Sequence, residues 1–203
     1  MGQLILVRHG QSTWNAENRF TGWVDCPLSE AGIAEARKAG ERLASEGVRV
    51  DRAYTSALTR AIDTGRIVLE ALGQEDLPQI KAWELNERFY GALTGRNKDE
   101  ARAEFGAEQV HLWRRAYDVH LAGGESLKDT TARTLPYFER EIVPATQEVD
   151  VVLVSAHGNS LRAIVKDLDD LSDEEVTRLE IPTGVPLVYE VADGRPVGKR
   201  ILD

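Results

Sequence analysis

Residues 4–7 form an unbroken apolar run that stops at Arg8-His9-Gly10, and residues 149–154, apolar apart from Asp150, run into Ser155-Ala156-His157-Gly158. Runs this short with no sustained alternation predict strands buried on both faces. Between them, residues 29–47 predict a helix with Ser29 as N-cap and Ile33, Ala36, Leu43 and Ala44 along its apolar stripe. Residues 57–72 predict a second helix, with Leu58, Ala61, Ile62, Gly65, Leu69 and Leu72 on one face, and Gly47 and Gly73 supply stops. Residues 51–55, 79–85 and 187–191 are shorter strand candidates. Residues 97–120 and 126–142 read as mostly helical, with Pro136 interrupting the latter. A short helix follows over 159–168, and Ser172 to Glu175 has the form of a capping box opening another. Strands alternating with helices imply a three-layer α/β sandwich with a mostly parallel central sheet flanked by helices.

The chain has 203 residues and no Pro/Gly/Ser-rich linker, which predicts a single domain over 1–203. With 42% hydrophobic and 29% charged residues it is neither disordered nor fibrous in composition. The apolar run near the start is too short for a signal peptide core or a membrane span. Cys26 is the single cysteine, so no internal disulfide forms, and no Cys/His cluster has zinc-like spacing; both features fit a cytoplasmic protein that needs no metal. A net charge of -9 argues against nucleic acid and anionic membranes as partners, so any bound phosphate must meet a local cationic pocket.

Ligands of parallel sheets sit beyond the carboxyl ends of the strands, which is where both strand-His-Gly units end. If the two strands are neighbours, His9 and His157 face one pocket, and Gly10 and Gly158 let a ligand come close to the backbone. Asn159 and Ser160 fall at a helix N-terminus, whose free N–H groups favour an anion. An ordinary nucleotide-binding α/β protein would carry GxxxxGK[ST] or GxGxxG after a strand, and neither occurs.

The run Leu6-Val7-Arg8-His9-Gly10-Gln11-Ser12-Thr13-Trp14-Asn15, then Phe20-Thr21-Gly22-Trp23 and Pro27-Leu28-Ser29-Glu30, resembles the histidine phosphatase superfamily. Tyr54-Thr55-Ser56-Ala57-Leu58-Thr59-Arg60, Leu85-Asn86-Glu87-Arg88-Phe89-Tyr90-Gly91, Arg114-Arg115 and Val154-Ser155-Ala156-His157-Gly158-Asn159 extend the likeness over nearly the whole chain. The FTGW and NERFYG runs and the arginine pair are similar, more specifically, to the 2,3-bisphosphoglycerate-dependent phosphoglycerate mutases.

That resemblance implies interconversion of 3-phosphoglycerate and 2-phosphoglycerate, in glycolysis and gluconeogenesis, through a phosphohistidine on His9. 2,3-Bisphosphoglycerate would be primer and intermediate, and no metal is expected. Arg8, Arg60 and His157 would stabilise the transferring group, and Glu87 would serve as acid and base. Substrate contacts are implied for Arg8, Gly10, Gln11, Ser12, Asn15, Thr21, Gly22, Arg60, Glu87, Arg88, Phe89, Tyr90, Lys98, Arg114, Arg115, Gly158 and Asn159. The partners are small-molecule phosphoglycerates, and a homo-oligomer stays open. Longer members of the family carry an insertion between the positions of Tyr117 and Glu125 and a tail, thought to cover the site, beyond the position of Asp203. A pocket without these admits more water, which makes a phosphomonoesterase of the same superfamily the alternative. A non-catalytic phosphate-binding protein is a more distant one.

Overall fold

A computed structural model describes residues 1–203. Strands β1 (Gly2–Arg8), β2 (Arg52–Ser56), β3 (Gln79–Ala82), β4 (Val151–Ala156), β5 (Pro186–Ala192) and β6 (Arg195–Ile201) make one sheet in the order β3-β2-β4-β1-β5-β6. The first four in that order are mutually parallel, while β5 and β6 close one edge in antiparallel fashion. The helices are α1 (Thr13–Ala16), α2 (Glu30–Ser45), α3 (Thr59–Ala71), α4 (Lys98–Phe105), α5 (Ala107–Arg115), α6 (Leu127–Tyr137), α7 (Val143–Glu148), α8 (Gly158–Leu168) and α9 (Asp173–Arg178).

Successive side chains of a strand point to opposite faces. On one face Leu4, Leu6, Val152 and Val154 pack with Tyr137 of α6 and Leu161, Ile164 and Val165 of α8. On the other, Ile5, Val7 and Leu153 pack with Ala39 and Leu43 of α2 and Val68 and Leu69 of α3. Helices on both sides require an apolar residue at every position of the central strands, which is why residues 4–7 show no alternation. Each such aliphatic side chain, once buried, contributes about 1.5–3 kcal/mol. The result is the expected three-layer sandwich.

Local signals explain most element ends. The Ser29 side chain accepts from the Gly32 N–H and starts α2, and Ser172 with Glu175 forms a reciprocal capping box at α9. Four regions differ from the sequence reading, the first being the strand expected over 79–85, which ends at Ala82 and passes into a 3-10 turn over Trp83–Leu85. The helical stretch expected over 97–120 is cut into α4 and α5 by Gly106, whose φ of +86° is open to glycine, and it ends at Arg115. Pro136 does not end α6. Helical backbone continues through Phe138–Ile142 as a π turn that lies beyond Pro136 and directly before Pro144, whose missing N–H and ring act on that preceding turn. Strand β6 was not anticipated, because its residues are exposed or half-buried in alternation and include Pro196. It is reached through Asp193-Gly194, both at positive φ, the geometry of a tight hairpin turn.

The loop leaving β1 crosses the start of α2 at the closest backbone approach near the site. A Cβ on Gly32 would lie 2.0 Å from the Gln11 carbonyl oxygen, and one on Gly10 would lie 2.1 Å from the Gly32 oxygen. Both partners are backbone and cannot rotate away. Gly32→Ala is therefore expected to lower the free energy of unfolding by about 2–3 kcal/mol, the upper range for overpacking a tight site. Urea denaturation measures it, and a loss under about 0.5 kcal/mol would show that the crossing is loose.

Candidate active site

Strands β1 and β4 are adjacent and parallel with Arg8 opposite Ala156, so the next residue of each, His9 and His157, leaves the sheet at the same level. Their rings meet edge to face with centroids 4.9 Å apart. His9 is 3% exposed and His157 fully buried.

The ring of His9 is held in one tautomer. Its Nδ1 lies 2.6 Å from the Gly10 carbonyl oxygen, which can only accept, so Nδ1 carries the proton and Nε2 presents its lone pair. Consistently, Arg60 Nε donates toward Nε2 at 3.4 Å. Burial first, then the charges of Arg60 and Arg8, holds the His9 pKa well below its ordinary value. A neutral imidazole with a free Nε2 is the form a nucleophile needs.

Around it, Arg60 is anchored by donating to the carbonyls of Val24 and Gly22, at 2.9 and 2.8 Å. Arg8 donates to the Ile181 carbonyl at 2.7 Å. The N-terminus of α8 already faces an anion, the Glu87 carboxylate. Its Oε1 accepts from the Asn159 side chain at 2.7 Å, the Asn159 backbone at 3.3 Å and the Arg88 backbone at 2.7 Å. Burial by itself would raise the Glu87 pKa, but these hydrogen bonds with Arg8 and Arg60 more than offset it and the net direction is down. Glu87 is thus a carboxylate here, suited to accept a proton.

A cavity of about 240 Å³ opens over His9. Arg8, His9, Asn15, Thr21, Gly22, Arg60, Glu87, Tyr90, Lys98, Arg114, Arg115, Gly158 and Asn159, all singled out in the sequence, line it. Lys98 starts α4 and Arg114 and Arg115 end α5, so cations from a second pair of helices line the same cavity as those beside His9. Several buried polar atoms near this cavity have no partner in the protein: Arg8 Nε, Thr21 Oγ1, Arg115 Nη1 and His157 Nδ1, with Arg88 Nε and Nη1 behind them. Buried donors left free are costly unless something accepts from them, so this set fits an oxygen-rich polyanion such as a bisphosphate with a carboxylate. No group of three or more His, Cys, Asp or Glu side chains is placed to hold a metal ion.

Five expected substrate contacts lie elsewhere. Gly10 packs on the Gly32 backbone, so its missing side chain serves α2 and not a ligand, whereas a Cβ on Gly158 would meet only ordinary contacts to Arg8 and Glu87. Gln11 turns to α2, its N–H donating to Glu35 and its side-chain oxygen accepting from Ser29. Ser12 is spent capping α1. Phe89 is 37% exposed and packs on Trp23. Arg88 sits behind the wall, stacked on Tyr90 and donating to the Arg114 carbonyl, where it steadies two residues that do line the cavity.

The sequence reading assigned no role to Arg19, Phe20, Arg162 and Glu180, which also line the cavity. It also missed Arg133, which donates to the carbonyls of Glu84, Asn86 and Glu87 while paired with Glu125, and Trp23, whose Nε1 donates to the Glu87 carbonyl at 2.5 Å. Arg162 could have been found three residues after Asn159 on the same helix face. Arg133 and Trp23 carry no local signal, because their partners are backbone carbonyls of a distant loop.

Residues 4–203 match the sequence profile of the histidine phosphatase superfamily, branch 1. The chain is 59% identical to a 2,3-bisphosphoglycerate-dependent phosphoglycerate mutase of Methylobacterium sp., covering 98% of this chain and 97% of that protein. It is 52% identical to a phosphoglycerate mutase of Schizosaccharomyces pombe, covering 98% and 95%. Among solved structures it is similar to a mycobacterial glucosyl-3-phosphoglycerate phosphatase complexed with VO3, at 26% identity and a TM-score of 0.83 over 99% and 97% of the two chains. It is also similar to Bacillus stearothermophilus YhfR, at 30% identity and 0.82 over 97% and 94%.

Ser56 sets the state of the second histidine. Its Oγ, fully buried, lies 2.7 Å from His157 Nε2 and accepts the Leu58 N–H at 3.2 Å; the hydroxyl proton has no hydrogen-bonded acceptor besides Nε2. Burial first, then Arg60 and His9, holds the His157 pKa well below its ordinary value, and where Nε2 takes the Ser56 proton the proton of the neutral ring sits on Nδ1, which has no partner in the protein. Ser56→Ala should release this tautomer, visible as a change in the ¹⁵N shifts of labelled His157. It should also lower kcat by roughly one order of magnitude, the effect of losing one buried hydrogen bond of about 1–1.5 kcal/mol. Unchanged shifts would remove Ser56 from the account.

Proposed function

This chain belongs to the histidine phosphatase superfamily, branch 1, and we propose that within it the protein is a 2,3-bisphosphoglycerate-dependent phosphoglycerate mutase interconverting 3-phosphoglycerate and 2-phosphoglycerate. Full-length identity of 52–59% to named mutases supports the reading. The observation that carries it is the cation set of one cavity: Arg8 and Arg60 act on His9 directly, and Lys98, Arg114 and Arg115 share the same lining, more cations than one phosphate requires. A phosphoglycerate brings a phosphate and a carboxylate, and arginine forks match both. The chain covers 95–98% of the length of these mutases. Glycolysis and gluconeogenesis place the reaction in the cytoplasm, and no helix is long and apolar enough to cross a membrane.

2,3-Bisphosphoglycerate supplies the phosphoryl group that primes His9. His9 Nε2 forms the N–P bond as the P–O bond breaks, and the departing oxygen takes a proton from Glu87. In the return direction the Glu87 carboxylate removes the proton of the substrate hydroxyl as that oxygen attacks phospho-His9 and the N–P bond breaks. Glu87 must carry a proton in one direction and lack it in the other; a dianionic phosphate beside it raises its pKa from the low value set by its hydrogen bonds. Arg8, Arg60 and the Nδ1–H of His157 stabilise the equatorial oxygens, which is usually the largest contribution.

A phosphomonoesterase is the second reading, favoured by the similarity of the backbone to solved phosphatases. The deciding measurement is conversion of 3-phosphoglycerate coupled to enolase, with and without 2,3-bisphosphoglycerate, while phosphate release is followed in parallel. Isomerisation stimulated by the bisphosphate is expected, with His9→Ala taking up no acid-labile phosphate. Phosphate release without isomerisation would assign the protein to the phosphatases.

Lys98 gives the site a pH dependence. Burial first, then Arg114, Arg8 and Arg102, lowers its pKa to about 8. An anionic ligand favours the ammonium form, so binding raises that pKa and takes up a proton in the interval between the free and bound values. Affinity is full below about pH 8 and falls as pH rises, by up to tenfold per unit. KM for 3-phosphoglycerate should therefore climb above pH 8 in the natural protein and stay level in Lys98→Arg, whose guanidinium remains charged. Parallel pH profiles in the two proteins would show that Lys98 does not meet the ligand.

A further inference from the structure

Seven cationic side chains line the cavity, but only two carboxylates do: Glu87, which belongs to the proton-transfer chemistry, and Glu180, which no step of that chemistry uses. Glu180 stands between the last turn of α5 and the second turn of α8. One of its oxygens is 2.6 Å from Arg115 Nη2, and the other is 3.6 Å from Arg162 Nη2. It thereby occupies, with a carboxylate, one of the guanidinium groups to which the reading above assigns the outer anionic group of the substrate.

The backbone on either side of it is pinned. The Leu179 carbonyl accepts from Arg162 Nε at 2.8 Å, the Ile181 carbonyl accepts from Arg8 at 2.7 Å, and Ile181 is buried in the core. The Gly184 N–H donates to the Arg8 carbonyl at 3.0 Å. The loop is therefore fixed by its main chain. The Glu180 side chain, 66% exposed, is the part free to rotate into water. Arg162 is only 10% exposed and stays in place through Leu179 and the Asn159 side chain, so unpairing from Glu180 does not strand it. Arg115 keeps a buried Nη1 without any protein partner, a donor that Glu180 does not satisfy.

We propose that Glu180 is a displaceable counter-anion: it holds Arg115 until the outer anionic group of a phosphoglycerate takes its place, and by returning it promotes release. The proposal rests on the phosphoglycerate reading of the cavity. It makes Glu180 a determinant of affinity whose carboxylate opposes binding. The competing carboxylate lies at the solvent-exposed mouth, where such a pair is worth little, so its effect is small and of definite sign. If Glu180 served instead only to hold the 179–184 loop, removing its charge would loosen Arg115 and weaken binding.

The test is equilibrium binding of 3-phosphoglycerate and, separately, of inorganic phosphate to the full-length protein and to Glu180→Gln, with dissociation rates by stopped flow. The variant should bind 3-phosphoglycerate about two- to fivefold more tightly and release it more slowly by a similar factor, the scale of an exposed ion pair. Its affinity for inorganic phosphate should not change, since Arg8 and Arg60 beside His9 satisfy a lone phosphate. Equal or weaker binding of 3-phosphoglycerate by the variant would overturn the proposal and leave the reading of the cavity standing. Should the unaltered protein bind inorganic phosphate but not 3-phosphoglycerate, the reading itself fails and the proposal with it.

Discussion

The site depends on one pairing, the parallel ladder between β1 and β4. Parallel strands present their carboxyl ends at the same edge, and the register Arg8 opposite Ala156 puts His9 and His157 side by side. A shift of one residue would send every side chain of a strand to the opposite face and expose the apolar sets that the helices now cover. The register that buries Leu4, Leu6, Val152 and Val154 on one face is thus the same one that brings the two rings within 4.9 Å. Core packing and catalytic geometry are fixed by a single choice, so the histidine pair needs no separate device to align it.

The second constraint is electrostatic. A chain of net charge -9 concentrates seven lysine and arginine side chains around one small cavity. Like charges at such distances repel, and burial adds a desolvation cost; the lowered Lys98 pKa of about 8 expresses both. The fold offsets this by tying guanidinium groups to backbone carbonyls: Arg60 to Val24 and Gly22, Arg8 to Ile181, Arg162 to Leu179, Arg19 to Gly95. Carbonyl oxygens steady the arginines without neutralising them. Carboxylates would have cancelled the charge that a phosphate needs, and the structure places only Glu87 and Glu180 among them.

Much of this was legible in the sequence, for specific reasons. Unbroken apolar runs ending in His-Gly marked β1 and β4, since a strand covered on both faces cannot alternate. Ser29 and Ser172 marked helix starts through hydrogen bonds that lie within four residues. What escaped was set by distance along the chain. Gly10 reads as a ligand-facing glycine until α2 is seen crossing it, and Gln11 and Ser12 are drawn away by Glu35, Ser29 and Asn15. The roles of Ser56, Arg133 and Glu180 depend on partners in other elements, so their local sequence carries no mark of them. β6 escaped because an edge strand with one solvated face is polar at alternate positions, and only the Asp193-Gly194 turn announces it.

The comparisons separate what the scaffold decides from what the cavity decides. A phosphatase at 26% identity shares the backbone at a TM-score of 0.83, while mutases at 52–59% identity share most of the side chains. The sandwich is therefore common to enzymes that give the phosphoryl group to water and to enzymes that return it to a sugar-acid hydroxyl. In the proposed mechanism His9, Arg8, Arg60 and His157 act only on the group being transferred, and such an inner site serves either outcome. The choice falls to whatever holds the remainder of the substrate while phospho-His9 persists. Lys98, Arg114 and Arg115 can hold an anionic remainder through that interval, as a pocket that grips only phosphate cannot, and retention lets the second hydroxyl compete with water. The difference between the two reactions then lies in residence time at these three cations, a few kcal/mol of binding distributed over long, half-buried side chains.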